Sequence, residues 1–319
     1  MAPKSIIIDC DPGQDDALAI LLALGSPEDL DVLAVTAVAG NVPLSLTEVN
    51  ARKLVALAGR SDIPVYAGAG GPLVRDLVTA EFVHGKTGLD GADLPAPSVP
   101  LAEGHAALAI IDILRKKPEG TVTLCPVGPL TNIALAMRLA PDVVSRIEAI
   151  VLMGGAISVG NITPAAEFNI YVDPHAADVV FRSGVPLVMH GLDVTHKALV
   201  TPSRLAAIHA IGSEVSEAVH GLLTFYNIFD QAKGEGHGAP LHDPCAIAYV
   251  MRPDLFDGRD CHVEIDIASE ASMGRTLVDW RERLEQPVNA RVIDQIDADG
   301  FFELLTERLR RLPLPAKPT

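Results

Sequence analysis

Four carboxylates crowd the stretch IIIDCDPGQDD, residues 6–16: Asp9, Asp11, Asp15 and Asp16. They follow directly on an apolar run that reads as a buried strand. Asp9 and Asp11 are two apart, so on extended chain they point to the same side. Pro12-Gly13 forces a turn, after which Asp15 and Asp16 open a helix. Capping and the helix dipole favour Asp at a helix N-terminus by about 0.3–2 kcal/mol each, which accounts for one or two of the four. Four like charges at a desolvated strand end need protons, Lys or Arg, or a metal ion to neutralise them. Lys4 is the only nearby cation in sequence. Carboxylates without His or Cys select a hard ion, and calcium takes about six to eight oxygens where magnesium keeps more water.

Further oxygens must therefore come from elsewhere in the chain. Asp243, in LHDPCAIAYV, begins a helix after a Gly-rich loop and sits beside His242; N-capping explains it equally well. CPVGPLTN offers a backbone carbonyl at Val127, with Gly128 freeing the turn and Pro129 opening the next helix. MGGAISVGNITPAAEFN (153–169) presents Asn161, Glu167 and Asn169, amide and carboxylate groups that suit sugar hydroxyls better than phosphate. Turn formation accounts for Asn161 and poorly for the other two. Asn41, in AGNVP, stands at another strand end, where a turn role is an equal reading. His84 lies in the Gly-rich FVHGKTGLDG (82–91) as a lid or a solvated residue. His196, after Asp193 in GLDVTHK, is expected to make a structural hydrogen bond. The chain contains neither G-x-x-x-x-G-K-[ST] nor G-x-G-x-x-G after the first strand.

The elements that must position these groups alternate. Strands are expected at 5–10, 30–40, 121–128, 147–155 and 185–193. Helices are expected at 15–25, ended by Gly25, at 45–59 with Ser45 and Glu48 in capping-box spacing, at 129–140 and at 173–184. Continuous Val/Ile/Leu strands separated by helices predict an α/β fold, a mostly parallel central sheet flanked by helices, with functional loops beyond the carboxyl ends of the strands. Residues 67–100 lack periodicity and are rich in Gly and Pro, a loop of functional or mobile type. Helices are expected at 202–211, 213–232 and 243–251, short strands near 260–267, 273–280 and 288–293, and a closing helix at 297–311. The expectation is one domain over 1–319, with a flexible loop at about 70–100 and a disordered tail at about 313–319.

The 319 residues are 49% hydrophobic and carry a formal net charge of −16, which disfavours nucleic acid and anionic membranes as partners. Cys10, Cys125, Cys245 and Cys261 are scattered, form no C-x-x-C pair and read as buried free thiols of a reducing compartment. With no signal-like N-terminus and no uncharged run near the ~20 residues of a membrane helix, a cytoplasmic protein is expected.

Together, DCDPGQDDALAILLAL, HGKTGLDG, VGPLTNIALA, VLMGGA, TPAAEFNIYVDPHAA, GLDVTHKA and HDPCAIAYV resemble the inosine-uridine-preferring nucleoside hydrolase family, over residues 5 to about 310. TPAAEFNIYVDP and GLDVTHKA look most like its bacterial pyrimidine-preferring branch. The resemblance implies a Rossmann-like fold and cleavage of a ribonucleoside by water to ribose and free base, in nucleoside salvage. It implies one calcium ion held by Asp11, Asp16, Asp243 and the Val127 carbonyl, with Asp15 as general base. Asn41, Asn161, Glu167 and Asn169 would grip the ribose and Met153 would pack beneath it. His242 would line the base side and assist the leaving group. Phe168, Tyr226 and Phe229 would join the substrate contacts, and His84 would belong to a closing loop. Asp9 matches no ligand position and is expected to orient the ligands from behind. The resemblance also implies a homodimer or homotetramer. Family members often carry a tyrosine where Phe229 falls here, and a phenylalanine stacks but donates no proton. Two rival readings remain from the residues: an aspartate-dependent phosphohydrolase, with Lys197 as its phosphate ligand, and a non-catalytic nucleoside-binding protein.

Overall fold

The computed structural model describes residues 2–232 and 238–314; the side chains of 229–232 are outside the description, and with them the expectation for Phe229. In chain order the elements are β1 (Lys4–Cys10), α1 (Gln14–Leu24), β2 (Leu30–Ala37), α2 (Leu44–Leu57), β3 (Val65–Ala67), α3 (Glu81–His84), α4 (Ala106–Lys116), β4 (Val122–Pro126) and α5 (Thr131–Leu139). There follow β5 (Ile147–Met153), α6 (Phe168–Val172), α7 (Pro174–Phe181), β6 (Leu187–His190), α8 (Leu192–Thr195), α9 (Pro202–His209), α10 (Glu214–Ala232) and α11 (Pro244–Met251). The chain closes with β7 (Phe256–Cys261), β8 (Val263–Ile265), β9 (Thr276–Val278), β10 (Ala290–Ile296) and α12 (Ala298–Leu309).

Eight strands form one sheet in the order β3-β2-β1-β4-β5-β6-β10-β7, parallel except for β7, which runs antiparallel to β10 at the edge. Alternation along β1 divides the core. Ile6 and Ile8 pack on the side of α1, α11 and α12, and Ile7 packs on the side of α4, α5 and α7. All eleven residues of α1 are buried, so the helix that carries Asp15 and Asp16 is central to the molecule. From β1 the chain builds outward to β2 and β3, then crosses back to place β4 on the other side of β1. The crevice beyond the carboxyl ends of β1 and β4 is therefore the topological switch point, where open α/β sheets bind ligands. Asp11 and Val127 immediately follow those two strands.

Several expectations shift. Helix α2 begins at Leu44 behind Pro43, so Ser45 lies inside the first turn and caps nothing, and Glu48 pairs with Arg52 at 2.7 Å. Pro129 is not in the first turn of α5, because the first helical bond runs from Ala134 N to the Leu130 carbonyl and Gly128–Leu130 form the turn. The strand expected at 260–267 is two. β7 ends at Cys261, and β8 pairs with β9 in a separate two-stranded sheet. β7 reads FDGRDC, and its charged alternation suits an edge strand rather than a buried one. Strand β3 and helices α3, α4, α6 and α8 correspond to none of the expected elements. All four cysteines are free and buried. Among the described residues no helix is long and apolar enough to cross a membrane.

Candidate active site

Asp11 leaves β1 with both oxygens buried. Its Oδ2 accepts from the Asn41 backbone N–H at 2.7 Å, and its Oδ1 has no partner. Two glycines make room for this carboxylate. A Cβ at Gly40 would lie 2.0 Å from Oδ2, and one at Gly128 would lie 2.3 Å from Oδ1. Asp16 accepts from Asp11 N at 3.1 Å, Gly13 N at 2.9 Å and Asn41 Nδ2 at 3.1 Å. The capping reading thus holds in part, for Asp16. It fails for Asp243, whose side chain makes no capping bond to α11.

Asp15, Asp16 and Asp243 instead bring carboxylate oxygens within 4.8 Å of one another. Asp16 and Asp243 are in hydrogen-bonding contact, which two carboxylates can make only with a proton or a cation between them. Asp15 Oδ1 is buried and unpartnered. Burial, then repulsion from neighbouring carboxylates, pushes Asp11 and Asp243 well above the usual carboxylate range and Asp15 up to about 8. Asp16 rises less, to about 6, because burial is opposed by its backbone donors. Lys4 does not relieve the cluster, since its Nζ donates to the Val250 carbonyl at 2.7 Å. A buried set of hard oxygens, two of them without any partner, fits a divalent cation by its chemistry.

Asp9 stands apart. Burial pushes it up to about 7; Oδ1 accepts from Thr36 Oγ1 and Asn132 Nδ2, and Oδ2 is orphaned. Its link to the cluster runs through the backbone, where Val127 N donates to its carbonyl at 2.8 Å.

A cavity of about 400 Å³ opens over these groups, within the ordinary range for a small-ligand site. Asp15, Asp243 and Val127 reach its surface, while Asp11 and Asp16 lie fully buried beneath. Asn41, Met153, Asn161, Glu167, Phe168, Asn169, His84, Tyr226 and His242 all line it, so the expected contacts from six separate segments converge. Asn169 Nδ2 donates to the Val127 and Met153 carbonyls at 2.9 and 3.2 Å and ties the ends of β4 and β5. Glu167 caps α6, accepting from Asn169 N, Gly155 N and Ile170 N; burial nonetheless pushes it up to about 7. Asn161 Oδ1 accepts from Phe168 N. Thr195 Oγ1 lies 2.7 Å from His242 Nδ1 and anchors that ring. Sequence reasoning missed Phe82, Val159 and Ile162 in the lining, although an aromatic two residues before His84 in the Gly-rich stretch was a signal. His196, expected to make a structural hydrogen bond, also lines the cavity, its ring 5.6 Å from that of His242. No Lys or Arg is among the described lining residues, and Lys197 is turned to the Asp294 carbonyl and Gln295.

The fold and this pocket belong to a known class. The model of the inosine-uridine preferring nucleoside hydrolase family matches residues 6–303, and the chain belongs to that family. A pyrimidine-specific ribonucleoside hydrolase, RihA, of Shewanella sp. (strain MR-7) is 50% identical over 96% of both chains. An uncharacterised protein of Schizosaccharomyces pombe is 51% identical over 97% of this chain and 99% of its own. Among solved structures, a purine-preferring ribonucleoside hydrolase from Gardnerella vaginalis superposes with a TM-score of 0.90 at 33% identity, covering 97% of this chain and 99% of that one. The chain is therefore an N-ribohydrolase acting on ribonucleosides.

Proposed function

We propose that this enzyme is a calcium-dependent, pyrimidine-preferring ribonucleoside hydrolase that works in nucleoside salvage. The observation that carries the reading is the pair of unpartnered buried oxygens, Asp11 Oδ1 and Asp15 Oδ1, in a carboxylate cluster roofed by neutral amide groups. Asp11, Asp16, Asp243 and the Val127 carbonyl would hold the ion, which when bound supplies positive charge to fix the ribose diol and to acidify water. The positive charge also favours an ionised Asp15, as a general base requires.

Asp15 takes a proton from the attacking water while the water oxygen bonds to C1′. The C1′–N bond breaks, and its electron pair leaves with the base. Positive charge grows on the ribose ring as it does in other glycoside hydrolyses. The oxygens of Asn41, Asn161, Glu167 and Asn169 meet that charge, so they stabilise the transition state more than the neutral substrate. Met153 forms the apolar floor beneath the sugar. His242, anchored by Thr195, gives the departing base its proton. Asp9 holds the ends of β1, β2 and α5 together behind the ligands through Thr36 and Asn132. Pyrimidine preference is supported by the identity to RihA, which exceeds that to the purine-preferring structure. Among the described residues the cavity offers the phosphohydrolase reading no cationic lining residue to bind phosphate.

The test is ribose release from uridine, cytidine and inosine beside a phosphate ester, with chelator and after calcium is restored. The expected result is release from uridine and cytidine ahead of inosine, lost with chelator and recovered with calcium, and no turnover of the ester. Undiminished ribose release in chelator would refute the calcium requirement.

A further inference from the structure

Gln14, in the first turn of α1, is fully buried and reaches across to the 84–91 loop. Its Nε2 donates to two backbone carbonyls, those of His84 and Asp90, each at 3.1 Å. Carbonyls only accept, so the amide can be oriented in one way alone: nitrogen toward the loop and Oε1 toward His84. Oε1 lies 2.7 Å from His84 Nδ1 and also only accepts, which puts the ring hydrogen on Nδ1. A neutral imidazole carries one ring hydrogen, so Nε2 presents a lone pair. Burial keeps the ring neutral, pushing its pKa down to about 3.

The surroundings fix this arrangement. A Cβ at position 13 would fall 2.4 Å from His84 Nδ1, so glycine there is what lets the ring approach. Asn50 Nδ2 ties the loop's Thr87 carbonyl to the Pro12 carbonyl, and the Asp90 carboxylate accepts from Lys86 N and Thr87 N. The ring stands on the cavity wall, stacked on Tyr226 with centroids 5.8 Å apart and planes at 21°. Its Nε2 accepts from no described protein group, yet it is not one of the buried atoms sealed from open space.

We propose that Gln14 is a positioning residue for base selection: it holds His84 as the Nδ1–H tautomer with the Nε2 lone pair toward the cavity, and so selects nucleosides whose base offers an N–H or NH2 donor. The inference rests on the hydrolase reading above and adds to it the polarity of the base contact. The N3–H of uracil and the amino group of cytosine are donors of this kind. A base that cannot donate leaves a desolvated acceptor unpaired, and rejection of such analogues is the strong form of specificity.

Two measurements test it. Selective ¹⁵N labelling of histidine reads the His84 tautomer directly: Nδ1 protonated in the native protein, and a mixture in Gln14→Met. Independently, kcat/KM is compared within two substrate pairs, uridine against 3-methyluridine and cytidine against its 4-deamino analogue, in the native enzyme, Gln14→Met and His84→Phe. Taking the ratio between enzymes cancels the intrinsic reactivity of each substrate. The native enzyme should favour the donor-bearing member, and His84→Phe should shrink that preference about tenfold or more. Gln14→Met should shrink it in the same direction. His84→Phe keeps ring bulk and leaves the Gln14 bonds to the loop in place, so it carries the test even where Gln14→Met folds poorly. A native His84 protonated on Nε2, or equal discrimination in native enzyme and His84→Phe with ribose release intact, would overturn the role of Gln14. Absence of ribose release from every nucleoside in the native enzyme would instead count against the hydrolase reading itself.

Discussion

Asp243→Asn should stabilise the ion-free protein and at the same time abolish its stabilisation by calcium. Asp15, Asp16 and Asp243 hold their oxygens within 4.8 Å of one another. Two unit charges at that distance repel by about 3.5 kcal/mol at an effective dielectric of about 20. Protonation relieves part of this, because burial and repulsion push Asp15 up to about 8 and Asp243 well above its ordinary value. At pH 8 the net gain from neutralising Asp243 is then about 1–3 kcal/mol. An unfolding entropy of about 2.1 cal/mol/K per residue makes 1 kcal/mol worth about 1.5 °C in a chain of 319 residues. The variant should therefore melt about 2–4 °C above the native protein in chelator. Calcium at a hundredfold its Kd should add about 2.7 kcal/mol, or about 4 °C, to the native protein and almost nothing to the variant. Thermal melts by circular dichroism in EDTA and across a calcium titration give both numbers. A variant that melts below the native protein in EDTA, or keeps the full calcium shift, would refute the reasoning.

Asp15→Asn should lower kcat for uridine by about three orders of magnitude or more while calcium affinity falls much less, as steady-state kinetics beside calorimetry would show. Gly128→Ala places a methyl 2.3 Å from Asp11 Oδ1 and should weaken calcium at least tenfold, measured by competition with a chromophoric chelator. His190 is buried against Tyr249 and Phe256, and burial, opposed by the nearby Leu152 carbonyl, lowers it from 6.5 to about 3. The folded ring stays neutral where the unfolded one protonates. Its contribution is therefore intact above 6.5 and is lost as pH falls toward 3, costing about 2 kcal/mol at pH 5. His190→Phe should flatten the slope of stability against pH in urea melts over that window by one proton; an unchanged slope would contradict the burial.

The alternation of strands and helices was legible because both faces of a parallel sheet must be apolar, and the strands from SIIIDC to VPLVMH carry that signature. The acidic site was legible for the opposite reason: like charges at the end of a buried strand conflict with folding unless something binds them. Much of what was not legible depends on tertiary partners. Val65–Ala67 is too short to announce itself and becomes a strand only by pairing with Val35–Ala37. The edge strand Phe256–Cys261 has polar alternation that resembles a loop until Ala290–Ile296 lies beside it. Ala106–Lys116, by contrast, has ordinary helical periodicity between the long loop and β4. Within the site, Asp243 offered a capping explanation that only the missing cap bond removes. The role of Gln14 was not legible, since nothing in its sequence neighbours tells of the loop seventy residues away that it clamps.

The most direct measurement of the central claim is calcium titrated into chelator-stripped enzyme, with bound ion and ribose release from uridine followed in the same sample. Activity should rise in step with binding and saturate at one ion per chain, with Asp11→Asn neither binding nor recovering. Full activity in protein shown by elemental analysis to hold no divalent metal would contradict it.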